Sequence, residues 1–600
     1  MQHIKDKTKR QFVTTTGLGV LAAAALPQWL GAMEMATMAK KSPRKATPGF
    51  QPDVELELVA RMNRVPILPG TETEVMQYTA RVIKEAASTP LTPLPGSYLG
   101  PIIRLQKGQK VRIQFRNELP VSTITHWHGL HVPAEVDGHP QDVIERGERF
   151  VYEFEVNNRA SLNIYHPHPH EMTARQVYMG LAGGLIVNDE EEQRLGLPSG
   201  EYEIPLVLQD RRFDSNNQLV YAQHMMERMI GVYGDRILVN GRINQTLEVA
   251  SRAYRLRVMN GSNARIYKLG WGDGTPVTVI GVDGGLLEKP LTRPYVMLAP
   301  GERLDVWADF SGRPVGSELT LKSLPFSGVL PPMMSHHSGG MEGMEGMGGM
   351  GGMGGMGGHR MGGMGGMGGM GGMGGMGGMG GMGGMGHAMK LPVGSEYPLL
   401  TVKITQKVSD SPSLPVHLST PRHLNPKEAA NPGKPIPIGI TEGPMKMVLN
   451  GRAYANQDWL PFERIPLNTV QILEIFHAHG DMGGSEEREE EHTMPAGSEG
   501  MRGMRGMGGM AMMFSMAHPI HLHGQSFQIL SRTIDEDESA DYATVRDGFI
   551  NEGLQDTVLV MPGERVRIIK PFEDYKGSFM YHCHNLEHED MGMMREFLIE

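Results

Sequence analysis

A chain of 600 residues is too long for one hydrophobic core and points to about three or four domains at ~150 residues each. A formal net charge of -10 leaves no basic footprint for nucleic acid, and a single cysteine, Cys583, excludes any disulfide within the chain. The unusual counts are 47 methionines, 79 glycines and 24 histidines, a supply of soft and imidazole ligands for which copper is the natural metal.

Residues 1–39 read as a removable export signal. MQHIKDKTKRQFV supplies a basic region, and GLGVLAAAALPQWLGA a short stretch of small and apolar residues interrupted by Pro27. The core TKRQFV resembles a twin-arginine signal with Lys9 in the first arginine's place. That implies the twin-arginine export machinery, a protein exported already folded around its cofactor, and a periplasmic destination. Nothing downstream approaches the ~18 consecutive apolar residues of a membrane span.

Beyond a basic linker, KKSPRK (40–45), short β-rich runs alternate with Gly, Pro and Asn and no long helical periodicity appears, so the fold class is all-β. KVRIQFRN (110–117), YRLRVMN (254–260) and VQILEIF (470–476) are similar alternating strands. RGERFVYEF (146–154), APGERLDVWADF (299–310) and MPGERVRIIKPF (561–572) each lead from a Gly-Glu-Arg turn into a strand, and ILVNGR (237–242) pairs with MVLNGR (447–452). Three homologous β-sandwich domains, at 50–192, 198–328 and 391–600, account for these echoes. The segment 333–390 separates the last two. From Met341 to Met389 it is almost wholly Met-Gly-Gly triplets, which cannot build a packed core. A second insertion, 481–513, combines the acidic run Glu486–Glu491 with more Met-Gly, and both are expected to be loops or disordered.

Four motifs repeat His-any-His: HWH (126–128), HPH (166–168), HLH (521–523) and HCH (582–584). Residues i and i+2 of a strand share a face at roughly 6.5 Å, wide enough to grip two neighbouring ions. The stretch HPHPH leaves two pairs open, His166 with His168 or His168 with His170. His131 and His139 lie off the pattern and read as non-ligands. Alternation also sends Cys583 to the face opposite His582 and His584. With His518, His588 and Met593 nearby, it completes two histidines, one cysteine and a weak axial methionine, the composition of a blue-copper electron-transfer site. The peptide around Cys583 would then join a one-electron centre to a multi-metal cluster. Zinc, being redox-inert, would have no use for that coupling.

HWHGLHVPAEVDG (126–138), YHPHPH (165–170), HPIHLHG (518–524) and HCHNLEHEDMGM (582–593) resemble, in order and spacing, the four copper signatures of the multicopper oxidases. The resemblance spans nearly the whole mature chain outside the Met-Gly insertions. It implies three cupredoxin-like Greek-key β-sandwiches and four copper ions, which take O2 to water with electrons from Cu(I) or small organic reductants. By position, His126 and His521 would hold the type 2 ion. His128, His166, His168, His523, His582 and His584 would hold the type 3 pair, with His166 and His168 favoured because the family places an aromatic residue, here Tyr165, before the first ligand. His518, Cys583, His588 and Met593 would hold type 1 copper. Asp137 and Glu589 match acidic positions that the family uses beside the cluster for protons; the bland alternative leaves Glu589 or Asp590 a solvated loop charge. The Met-Gly tract enters where bacterial copper-efflux oxidases carry their methionine-rich segment, which points to Cu(I) as the electron donor. Family members bind substrate copper with an acid shortly before the type 1 histidine. Here Met516 fits the accompanying methionine, but Phe514 stands roughly at the acid's place, and Glu486–Glu491 is an alternative source of carboxylate. A laccase-like oxidase of phenols or bilirubin-type compounds and a non-catalytic copper-sequestering protein are the other two readings, and a monomer is expected.

Overall fold

The repeated strands pair with one another in the same way three times. Lys110–Asn117, Ala253–Asn260 and Thr469–His477 each run antiparallel to the strand that follows a Gly-Glu-Arg turn, respectively Arg149–Glu155, Arg303–Asp309 and Glu564–Phe572. On the other side each runs parallel to the strand that opens its sheet, Val54–Val65, Glu203–Arg211 or Ile436–Gly443. Alternation drives this pairing: in KVRIQFRN the residues Val111, Ile113 and Phe115 are buried while their neighbours are not. The Gly-Glu-Arg turn is also built identically. Glu148, Glu302 and Glu564 each turn back to accept the backbone N–H three residues earlier, at 2.7, 2.7 and 2.9 Å. ILVNGR and MVLNGR are tight hairpins in which Asn240 and Asn450 both have φ of 52° and the following glycine is also left-handed, as a two-residue Asn-Gly turn requires.

This computed structural model describes residues 43–84, 90–331, 391–443, 446–477 and 515–600. They form three cupredoxin-like β-sandwiches, each a pair of sheets closed over its own apolar core. The first packs Leu56, Phe115, Trp127 and Tyr152, the second Leu256, Trp271 and Val306, and the third Leu473, Ile520, Phe579 and Phe597. Helices among the described residues are at most six residues long, as the missing helical periodicity led us to expect.

One boundary differs from the sequence reading. Tyr397–Gln406, expected to open the third domain at 391–600, completes the second sandwich, antiparallel to Glu318–Ser323 and parallel to Thr246–Ala250. Its alternation suits any half-buried strand, and only the partner decides which sheet it joins. The Met-Gly segment is therefore inserted between two neighbouring strands of the second sandwich, and the third begins with Ile436–Gly443. The export signal, the whole of 333–390 and the insertion 481–513 lie outside the described residues.

Candidate metal centre

The strand Thr125–His128 lies antiparallel to Ser161–Pro167, which sets His126 opposite His166. In the third sandwich His518–Leu522 lies antiparallel to Gly577–Cys583, which sets His521 opposite His582 and Ile520 opposite Cys583. Period-two alternation then aims His126, His128, His166, His168, His521, His523, His582 and His584 into one buried volume. The rings of His126 and His523 stack with centroids 3.8 Å apart, and those of His128 and His521 at 3.7 Å. His170 lies apart from this volume, its ring about a third exposed and set against Tyr454. His131 and His139 also stay outside, hydrogen-bonded to Asp574 and Glu596.

In six of these rings one nitrogen is held by an oxygen, and in four of the six the other nitrogen meets no partner among the described residues. The Nδ1–H groups of His126, His166, His521 and His582 donate to the carbonyls of Asp137, Pro167, Asp556 and Cys583, at 2.6, 2.9, 2.8 and 3.1 Å. His523 Nδ1 donates to Asp137 Oδ2 at 2.7 Å and His128 Nε2 to Asp556 Oδ1 at 3.0 Å. Among the described residues, His126 Nε2, His128 Nδ1, His166 Nε2, His521 Nε2 and both nitrogens of His584 meet no partner. The Nε2 atoms of His168 and His523 converge on that of His582 at 3.4 and 3.2 Å. Buried polar atoms left unpaired cost about 1–3 kcal/mol each. So many in one volume, each with its ring oriented from behind, fit a set of metal ions. Burial, with repulsion between neighbouring rings, holds His128, His166, His168, His523 and His584 well below the usual imidazole range and His521 at about 4. Lowered basicity keeps these six rings neutral, as metal ligation requires.

Cys583 faces the other way. His518 Nδ1 lies 3.4 Å and His588 Nδ1 3.7 Å from its Sγ, the Asn585 N–H donates to Sγ at 3.4 Å, and Met593 is wholly buried beside it. His588 is carried by the short helix Leu586–Asp590, and its Nε2–H donates to the Met229 carbonyl at 2.9 Å. Burial pushes the thiol up and His588 down to about 3, so a bound cation is what would make the thiolate stable here.

Asp137 and Glu589 both stand against the cluster. Glu589 Oε2 lies 3.2 Å from His582 Nδ1, and Oε1 3.8 Å from His168 Nδ1. Asp590 turns away and accepts the backbone N–H groups of Thr173 and Ala174. Two acids were missed by the sequence reading. Asp556 holds His128, and Glu442 accepts the His518 Nε2–H at 2.8 Å, the Met516 N–H at 2.8 Å and His477 Nδ1 at 3.1 Å. Burial alone would raise Glu442, but the two histidines hold it well below the usual carboxylate range. It arrives from a strand whose Ile440 pairs with His477, a proximity that no local motif announces. Phe514 and Glu486–Glu491 lie outside the described residues.

Residues 75–192 and 507–600 match two family models, both described as multicopper oxidase. The chain is 27% identical over 504 residues to the multicopper oxidase mco of Staphylococcus haemolyticus, covering 84% of this chain and 83% of the relative. It is 26% identical over 574 residues to a laccase of Bacillus subtilis, covering 87% and 93%. Among solved structures it is similar to a variant of the McoA multicopper oxidase of Aquifex aeolicus, with 28% identity, a TM-score of 0.66, and 93% of this chain and 100% of the other covered.

Proposed function

The chain is a multicopper oxidase, and from that premise we propose that it oxidises Cu(I) to Cu(II) for copper tolerance, with O2 as acceptor. When bound, the four coppers supply four one-electron steps that together take dioxygen to two waters. In this reading His126 and His521 hold the type 2 ion through the Nε2 atoms that have no other partner. His128, His166 and His584 hold one type 3 ion, and His168, His523 and His582, whose Nε2 atoms converge, hold the other. His518, Cys583, His588 and Met593 hold the type 1 ion. Cys583 connects the two regions covalently, since the same backbone carries His582 and His584. Asp137 keeps the Nδ1 proton of His523 through Oδ2, Glu589 approaches Nδ1 of His582, and both are the acids proposed to pass protons inward.

The observation that carries the substrate assignment is the closed outer edge of His518. The ring is 0% exposed and its Nε2–H ends on the Glu442 carboxylate, so a flat phenol has no edge to lie against, whereas a small cation would be drawn to the negative charge. Both methionine-rich segments also leave the described fold here: the Ala517 N–H bonds the Val329 carbonyl, and Ser515 Oγ lies 3.5 Å from His477 Nδ1. Export to the periplasm belongs to the same reading, as does a monomer, because one chain carries the whole ligand set. A second reading, laccase-like oxidation of phenols, is favoured by the similarity to a laccase over 87% of the chain. Steady-state kcat/KM for Cu(I) and for a bulky phenol separates them. A higher value for Cu(I) is expected, and the reverse order would establish the laccase-like reading.

A further inference from the structure

The Gly-Glu-Arg turn occurs three times, and its glutamate does the same work each time; its arginine does not. Arg149 and Arg565 are exposed, and Arg565 meets Glu474 at the surface. Arg303, from the second sandwich, is fully buried. Its guanidinium grips both oxygens of Asp556, with Nη1 2.6 Å from Oδ1 and Nη2 on Oδ2, while Nε donates to the Leu162 carbonyl at 2.9 Å and Nη1 to the Gly301 carbonyl at 3.0 Å. Leu162 belongs to the first sandwich and Asp556 borders the third, so one side chain ties all three together.

The grip ends on two imidazoles. Asp556 Oδ1 accepts the His128 Nε2–H, the Asp556 carbonyl accepts the His521 Nδ1–H, and Thr557 Oγ1 lies within 3.3 Å of both rings. There is no slack around it. A Cβ on Gly129 would fall 2.6 Å from Arg303 Nη2 and 3.0 Å from Asp556 Oδ2, and one on Gly301 would fall 2.9 Å from the His584 ring.

We propose that Arg303 is a positioning residue for the copper cluster: by its two-pronged hold on Asp556 it orients His128 and His521, so that the second sandwich, which supplies none of the proposed ligands, sets the cluster's affinity for copper. The inference rests on the ligand assignment above. A planar guanidinium can hold both carboxylate oxygens while bonding elsewhere, and an ammonium cannot, so Arg303→Lys keeps the charge and loses the geometry. Residues that orient metal-binding histidines from behind typically change metal affinity about 10–100-fold when altered.

The test uses the copper-loaded full chain and the variants Arg303→Lys and Asp556→Asn, with Arg565→Lys as the matched control from another copy of the turn. The readouts are copper per chain under increasing EDTA, the electron paramagnetic resonance spectra of type 1 and type 2 copper, and the melting temperature of the copper-free protein. We expect both cluster variants to lose type 2 and type 3 copper at about 10–100-fold lower EDTA, with an altered type 2 spectrum, an unchanged blue band and an unaffected control. Copper retention and a type 2 spectrum like those of the starting protein would overturn the inference. So would loss of the blue band in step with the cluster and a fall in the copper-free melting temperature, which would mark a purely structural ion pair. If Arg303→Lys does not fold, Asp556→Asn, which keeps the side chain's shape, decides between the same outcomes. A starting protein that binds no copper at the histidine cluster would refute the ligand assignment itself, whereas four bound coppers and indifferent variants would refute only the role of Arg303.

Discussion

His518 donates its Nε2–H to Glu442 Oε1 across 2.8 Å, joining the proposed type 1 ligand to an acid 76 positions earlier in the chain. The carboxylate is doubly anchored, since it also takes the Met516 N–H and His477. A fixed negative charge therefore lies at the one edge of His518 that points away from Cys583.

Glu442→Gln keeps an acceptor for His518 and removes the charge. Charged hydrogen-bond partners contribute about 1.5–3 kcal/mol, which corresponds to a rise of roughly 10–100-fold in KM for Cu(I) if the cation is drawn to this carboxylate. KM for a neutral phenol should move little. Equal changes for both substrates would show that Glu442 only holds the ring.

Cys583→Ser would remove the proposed thiolate ligand and the proposed covalent electron bridge together. The blue band and dioxygen consumption should both fall to background, while the copper-free protein keeps its fold because serine is close to cysteine in size. A variant that retained full activity without colour would remove Cys583 from the electron path. Absorption spectra and an oxygen electrode measure both.

Glu302 gives a pH-dependent prediction away from the ligands. Burial, then the neighbouring charge of Asp283, pushes its carboxyl up to about 8. The folded state therefore holds a proton that the unfolded chain, near 4.5, has released, and the cost of keeping it grows as pH rises from 4.5 to 8. Glu302→Gln mimics the protonated form. It should stabilise the copper-free protein by about 2 kcal/mol at pH 8, allowing for Glu302's partial exposure, and by nothing near pH 4.5. Denaturant unfolding at the two pH values checks this, and a pH-independent difference would contradict it.

Deletion of Met341 to Met389 removes a segment in which glycine fills two positions of three and no face has sheet or helix period. The blue spectrum and thermal midpoint should stay nearly unchanged. Oxidation at low free Cu(I) should weaken, because linked soft ligands raise the local concentration of the ion. If the ratio of kcat/KM for Cu(I) to that for a phenol does not fall, the tract is a linker.

What could be read from the sequence was what a strand's period fixes. Four His-any-His pairs and a cysteine between two of those histidines determine by alternation which side chains share a volume and which one faces away. The repeated Gly-Glu-Arg and Asn-Gly turns likewise disclosed three similar sandwiches. Asp556 and Glu442 were not legible, because His128 and Asp556 lie 428 positions apart and meet only through packing between sandwiches. Tyr397–Gln406 was misplaced for the same reason, since its alternation says that it is half-buried but not against which sheet.

The most direct test of a cuprous oxidase built on these residues is the stoichiometry of Cu(I) oxidation by the copper-loaded protein in a closed, oxygen-limited cell. Four cuprous ions should be oxidised for each dioxygen consumed, without peroxide, and the blue band should bleach when the oxygen runs out. Release of peroxide, or a blue band indifferent to Cu(I) while phenols bleach it, would contradict the account.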